Sequence, residues 1–202
     1  MSRGGQGPSA VVVGAGVFGA SISHALISRG WAVHVVEQHS PAHVRASSHD
    51  SSRLLRMGHG DEDLPDHWYA RSALRSRSLW MQIAEEEGVE LFVPCGGVWL
   101  ARNAEGFEAR SASDLLDLQI PAELLAPEDA AQFFPDLRCD DLAFVLYEPL
   151  AGVLRATTCV RTLISRAVRQ GAELRTARAR PSGAGVQLDN GEQLVADRVV
   201  WA

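Results

Sequence analysis

Two short stretches of this chain carry residues whose types and spacing can do chemistry. The first is Gly14-Ala15-Gly16-Val17-Phe18-Gly19, followed 18 residues after Gly19 by Glu37. Gly14 permits a tight turn, Gly16 lets the backbone approach a pyrophosphate, and Gly19 allows a helix to pack close on a strand. A helix that starts at Val17 and Phe18 offers backbone N–H groups and a partial positive charge to phosphates. Glu37, with Gln38 beside it, stands where a carboxylate accepts hydrogen bonds from a ribose diol. Its charge repels a 2′-phosphate, which leaves NAD or FAD as the dinucleotide. The second stretch is Ser47-Ser48-His49-Asp50-Ser51-Ser52-Arg53-Leu54-Leu55-Arg56. It gathers hydroxyls, a histidine and two arginines. Serines bind phosphate oxygens or line an ordinary polar loop. Histidine moves protons near neutral pH. An arginine fork grips a carboxylate at two points or forms a structural ion pair.

These residues need elements to hold them. Ala10–Val13 is an apolar run too short for a helix and suited to a buried parallel strand. Ile22, Ala25 and Leu26 then keep helical spacing up to Gly30, a helix-ending glycine. Ala32–Val36 is a second apolar strand, ended by Glu37. The result is a complete strand–helix–strand unit around the glycine fingerprint, a far stronger signal than the glycines alone. Downstream, the pattern predicts a helix over Asp66–Glu87, opened by Pro65 and closed by Gly88. Leu91–Val93 and Val98–Ala101 read as a pair of strands around Pro94 and Gly96-Gly97. Helices follow at Glu105–Leu118 and, shorter, Pro127–Phe134. Leu142–Tyr147 is a strand and Arg155–Gln170 a helix. Glu173–Arg175 is strand-like, and Val186–Leu188 with Gln193–Val195 forms a hairpin across Asp189-Asn190-Gly191. Arg198–Trp201 is a final apolar strand.

Composition limits the function classes. The chain has 202 residues, 46% hydrophobic and 22% charged, which excludes disordered and collagen-like readings. Its net charge of −6 argues against a nucleic-acid partner. No apolar run approaches the ~18 residues that would span a membrane, and Met1–Pro8 lacks the apolar core of a secretory signal, so the expected location is cytoplasmic. All 19 cations are arginine. Cys95, Cys139 and Cys159 have neither disulfide-scaffold nor zinc spacing and are expected to be small buried residues. His59, Asp61, Asp63 and His67 are irregularly spaced and read as a solvated loop rather than a metal site. Trp68-Tyr69 reads as core packing or helix surface.

The Ser47–Arg56 block resembles a motif of the flavin-dependent amine and amino-acid oxidases of the D-amino-acid oxidase superfamily, roughly G-S-x-H-G-D-T-R-I-I-R. Ser47, His49, Arg53 and Arg56 match it. Asp50 and Ser51 stand where that family has Gly and Asp, and Met57-Gly58-His59 replaces His-Ala-Tyr. Ala73-Leu74-Arg75-Ser76 with Leu79-Trp80 is similar to the family's A-L-R-S-x-x-L-W helix. Glu148-Pro149-Leu150-Ala151-Gly152-Val153-Leu154 is similar to its E-P-x-x-G-V-L turn. The nearest branch is that of the sarcosine and N-methyltryptophan oxidases.

The resemblance implies an α/β fold: a Rossmann-like FAD-binding domain, mostly parallel sheet with helices, interrupted by part of an α+β substrate-binding domain. The implied segments are 1–88 (FAD-binding), 89–151 (substrate lobe) and 152–202 (FAD-binding, resumed). The chain then covers the N-terminal half of such a protein. The family's covalent cysteine and oxygen-handling lysines belong to its later half. The implied reaction oxidises the C–N bond of an amino acid or N-methyl amino acid to an imine, and O2 reoxidises the flavin to give H2O2. In that scheme Arg56 holds the substrate carboxylate, Arg53 lies beside the flavin and His49 moves protons near it. Ser47, Ser48 and Ser52 bind phosphate or flavin, and Ala179 contributes a backbone contact near the adenine. A non-catalytic FAD-binding subunit and an NAD-dependent dehydrogenase are the alternatives at this stage. Neither the exact substrate nor the oligomeric state is legible.

Overall fold

The computed structural model of the chain describes residues 7–60, 67–183 and 185–202. In chain order the elements are β1 (Ser9–Val13), α1 (Val17–Ile27), β2 (Ala32–Glu37), β3 (Arg53–Leu55), α2 (Trp68–Glu87), β4 (Phe92–Val93), β5 (Gly97–Ala101), α3 (Phe107–Asp117), β6 (Glu123–Leu125), a 3-10 segment (Pro127–Gln132), β7 (Phe144–Glu148), β8 (Gly152–Leu154), α4 (Ala156–Arg169), β9 (Glu173–Thr176), β10 (Ala179–Ser182), β11 (Gly185–Leu188), β12 (Gln193–Val195) and β13 (Arg198–Trp201). Packing divides them into two compact units. One joins the described residues through Ser52 to Arg155–Ala202, and the other is Arg53–Leu154.

The first unit is built on a parallel sheet of order β13-β1-β2-β9. Ala10 lies opposite Arg198 on one side and Val33 on the other, and His34 lies opposite Glu173. Side chains alternate across the sheet. Val11, Val13 and Val36 share a face with Val186, Leu188 and Leu194 of the antiparallel sheet β10-β11-β12. Ala10, Val12, Val33 and Val35 take the alternate positions and are at most 2% exposed. In the β1-α1-β2 crossover α1 returns over one face of the sheet, and α4 lies along α1. There the Arg166 Nε–H donates to His24 Nε2 at 3.2 Å, and the Ser28 hydroxyl donates to Gln170 Oε1 at 3.3 Å. α4 buries Cys159, Val160, Leu163, Ile164 and Ala167, a stripe at helical spacing. Each large aliphatic in it contributes about 1.5–3 kcal/mol.

The second unit holds two antiparallel three-stranded sheets, β3-β8-β4 and β5-β7-β6, with α2 and α3. Its core joins Met57, Ala70, Ala73, Leu115, Ile120 and Ala151, so one face of α2 is sealed within this unit.

Compact packing therefore divides the chain after Ser52 and Leu154, where the sequence suggested 88 and 151. The reason is physical. β3 pairs with β8, Arg53 opposite Leu154, and α2 belongs to the Leu115 core. The strands flanking Pro94 exist but do not pair with each other: β4 pairs with β8, and β5 with β7. Strands β3, β6, β8 and β10 were not expected. The Pro127 segment is 3-10 rather than α-helical. α2 is described from Trp68, and Pro65 and Asp66 lie outside the described residues. Of the cysteines only Cys159 is buried; Cys139 is half-buried and Cys95 exposed.

Candidate functional site

The C-terminal ends of the parallel strands open onto a cleft of about 610 Å³ within the first unit. Val13, Val36, Trp201 and Ala202 line its floor, and Gly14, Gly16, Val17 and Phe18 contribute the turn and the first residues of α1. Such an end of a parallel sheet is where this class of fold receives its ligand. Gly14 has φ +105°, and a Cβ there would lie 2.1 Å from the Ala202 carbonyl oxygen. Only glycine fits that turn. Gly19 does not line the cleft. It packs against the Gly14 carbonyl from behind, bringing α1 close to β1. Helix geometry leaves the N–H groups of Phe18 and Gly19 without intrahelical acceptors.

Glu37 ends β2 on the wall of the cleft. Its Oε2 accepts the Ala15 N–H at 2.8 Å, and its Oε1 accepts the His39 N–H at 3.0 Å. A carboxylate has about four lone-pair sites, so two remain for a diol. Gln38 also lines the cleft. Beyond Thr176 the chain bends at Ala177, whose N–H donates to the Glu37 carbonyl at 2.9 Å, and β10 begins at Ala179, again on the cleft. Four polar lining residues were not singled out in the sequence: His39, His43, Arg45 and Arg178. The His39 and His43 rings stack at 4.3 Å. A polar stretch without periodicity gives no sign of which way its side chains face.

Ser47 and Ser48 line the cleft as well. The Ser48 hydroxyl accepts the Val17 N–H at 3.2 Å, supplying from a distant loop the cap that Gly16 lacks. His49 and Ser52 do not line it. Nδ1–H of His49 donates to the Ala42 carbonyl at 2.9 Å, which leaves Nε2 as the nitrogen able to accept a proton. The Asp50 carbonyl accepts both the N–H and the hydroxyl of Thr157, at 3.1 and 2.8 Å, tying this loop to the start of α4.

The two arginines belong to the second unit. Arg53 is exposed at the start of β3. Arg56 is half-buried, its guanidinium carbon 4.4 Å from the centre of the Trp99 ring and 5.5 Å from that of Phe107. It donates to the Gly58 carbonyl at 3.1 Å. Desolvation pushes its pKa below the ordinary arginine value, and the charge of Glu148 pulls the other way. Glu148 is 1% exposed. Its Oε2 accepts the N–H groups of Met57 and Gly58 at 2.8 and 3.0 Å, and its Oε1 accepts the Trp99 indole N–H. The sequence singled out Glu148 only as part of a turn. His59 stacks on Tyr69, His67 pairs with Asp114 at 3.1 Å, and Asp61 and Asp63 lie outside the described residues. Trp68 and Tyr69 are exposed, on the helix surface.

The family of FAD dependent oxidoreductases matches residues 9–202. The chain belongs to that family. FAD is therefore its dinucleotide, and the NAD alternative falls away. A monomeric sarcosine oxidase of Streptomyces avermitilis is 31% identical over 202 residues, covering 95% of this chain and 52% of the relative. An N-methyl-L-tryptophan oxidase of Yersinia pestis is 26% identical over 161 residues, covering 80% and 42%. Among solved structures, L-proline dehydrogenase from P. horikoshii superposes with a TM-score of 0.83 at 24% identity, covering 98% of this chain and 53% of the other. Glycine oxidase from Geobacillus kaustophilus does so with a TM-score of 0.75 at 25% identity, covering 97% and 55%. The chain spans about half the length of the curated relatives it matches. Among the described residues no helix is long and apolar enough to cross a membrane.

The cleft suits FAD. The turn tolerates no side chain at Gly14, the start of α1 points N–H groups toward an anion, and Glu37 keeps acceptor sites for a ribose.

Proposed function

We propose that the first unit binds FAD and that the protein oxidises the C–N bond of an amino acid or N-methyl amino acid. The observation that carries this reading is that one chain holds both a glycine-turned dinucleotide cleft and, in its other unit, a half-buried arginine seated on two aromatic rings. The first feature suits an FAD pyrophosphate, and the second suits a small carboxylate. When bound, FAD would supply a hydride acceptor for the carbon next to the substrate nitrogen, with O2 as the final oxidant, reduced to H2O2. The substrate leaves as an imine, which water hydrolyses.

The chain's own residues bind and orient. Glu37 takes the ribose hydroxyls, and the α1 start with Ser47 takes the pyrophosphate. Arg56 grips the substrate carboxylate, and a fixed cation converts binding into orientation of the reacting carbon. Desolvation beside Trp99 and Phe107 strengthens that charge–charge attraction relative to water. In this reading Arg53 would place a positive charge beside the flavin. His49, protonated at Nδ1, receives or returns a proton at Nε2. Ser48 and Ser52 order the loop that carries them. The likeness to the bacterial sarcosine oxidase supports the finer points of this reading, a cytoplasmic location and an N-methyl substrate.

The test is spectroscopic and kinetic. The purified protein is expected to be yellow and to bleach anaerobically with an N-methyl amino acid. Arg56→Met should raise KM strongly while flavin content stays unchanged. A yellow protein that no amine bleaches would instead be a non-catalytic flavoprotein, and an unchanged KM in Arg56→Met would remove the carboxylate role.

A further inference from the structure

Arg56 does not choose its own direction. Its two closest supports are the Gly58 carbonyl, which accepts its N–H, and the Trp99 ring beneath it. Both supports are held by one side chain, Glu148. Oε2 of Glu148 takes the N–H groups of Met57 and Gly58, which fixes the peptide planes that follow Arg56. Oε1 takes the indole N–H of Trp99, which fixes the ring's rotation. No side chain would fit where Glu148 meets this backbone: a Cβ on Gly58 would come within 2.8 Å of Oε1 and 3.1 Å of the Ser111 Cβ. A carboxylate this buried is retained only when its lone pairs are satisfied. Here neutral donors satisfy it, so its lone pairs are not taken up by an ion pair with the guanidinium beside it.

We propose that Glu148 is a positioning residue: through Trp99 and the 57–58 backbone it aims the Arg56 guanidinium, and so sets the preference for substrates that carry a carboxylate. The proposal rests on the reading of Arg56 as the carboxylate anchor. It adds that the anchor works only while its two supports are pinned by a side chain that touches neither substrate nor flavin. Geometry errors near an ångström in such an anchor are felt in rate and affinity.

The experiment compares kcat/KM for an N-methyl amino acid with that for its primary amide, in the flavin-loaded full chain. The amide keeps size and shape and loses the charge. Glu148→Gln should reduce the acid-to-amide ratio about tenfold, mainly through KM of the acid. Flavin content should be unchanged. Arg56→Met should reduce the ratio at least as far, and the double variant no further. A ratio unchanged in Glu148→Gln but lowered in Arg56→Met overturns the positioning role and leaves the anchor standing. A ratio unchanged in Arg56→Met overturns the anchor and this proposal with it. A general structural effect of Glu148→Gln would lower both substrates equally and also counts against the proposal. If Glu148→Gln does not fold, Trp99→Phe decides. It keeps an aromatic face under Arg56 but removes the donor to Oε1, and is expected to reduce the ratio about threefold. No change in that variant overturns the proposal.

Discussion

Glu37 and Glu148 are the last residues of β2 and β7, one in each compact unit, and each accepts two backbone N–H bonds. There the likeness ends. Glu37 is half-buried on the wall of a cleft of about 610 Å³, with acceptor sites left over. Glu148 is 1% exposed and takes a third donor from Trp99. The same side chain at the end of a strand is thus suited to two different jobs. Where spare lone pairs face a cavity, it can still accept hydrogen bonds from a ligand. Where protein donors satisfy it in a sealed site, it holds other residues still. Burial and donor count decide, not residue type.

The comparison breaks most severely if the cleft is not built as described. Gly14→Val puts a Cβ into the Ala202 carbonyl at a φ of +105°, so it should abolish flavin retention and cost about 3 kcal/mol or more. Flavin absorbance per protein and the urea midpoint read both effects. Glu148→Ala comes next. It strands three buried donors and should lower stability by about 3–5 kcal/mol in urea unfolding. Flavin affinity in the folded fraction should remain as before. Glu37→Ala should do the reverse: about 1 kcal/mol of stability, but a fall in flavin affinity of about tenfold by fluorescence titration. Equal stability losses at the two acids would show that they do not differ in role.

The smallest effect is at the thiols. Burial pushes the Cys159 pKa up to about 11. A raised folded pKa favours the protonated form. Its contribution to stability is complete below about 9 and is lost as pH climbs toward 11. At pH 8 a thiol reagent should modify exposed Cys95 at once and Cys159 only as the first unit opens. That makes Cys159 a reporter of the first unit, so its denaturant-dependent labelling shows which of the two acids destabilises that unit.

Much of the first unit was legible in the residues themselves. Ala10–Val13 and Ala32–Val36 are unbroken apolar runs around a glycine turn, and local spacing suffices to define them. The second unit was less legible because its pairing is distant. Three-residue strands such as β3 and β8 carry too few side chains for a period to show, and they find each other across nearly a hundred residues. Pro94 and the glycines after it look like a hairpin, yet the strands on either side pair elsewhere. At the candidate site, the cleft-lining positions of Gly14, Glu37 and Ser47 were legible because motif and position coincide. Glu148 was legible only as the first residue of a turn, not as a buried acceptor. Nothing local shows that Met57, Gly58 and Trp99 converge on it. The aromatic seat of Arg56 was hidden for the same reason, since Trp99 lies on a different strand.

The sheet order β13-β1-β2-β9 has a consequence for how the protein is made. β1 and β2 leave the ribosome well before the strands that flank them, because β9 and β13 both follow the whole of the second unit. Glu37 emerges 136 residues before Glu173. At ordinary translation speed that interval is on the order of ten seconds. Throughout it an apolar two-stranded ribbon has both edges open, and the floor of the cleft lacks Trp201 and Ala202. Newly made chains therefore carry open strand edges before any flavin can bind, and the cofactor can stabilise only a molecule in which β13 has already been made.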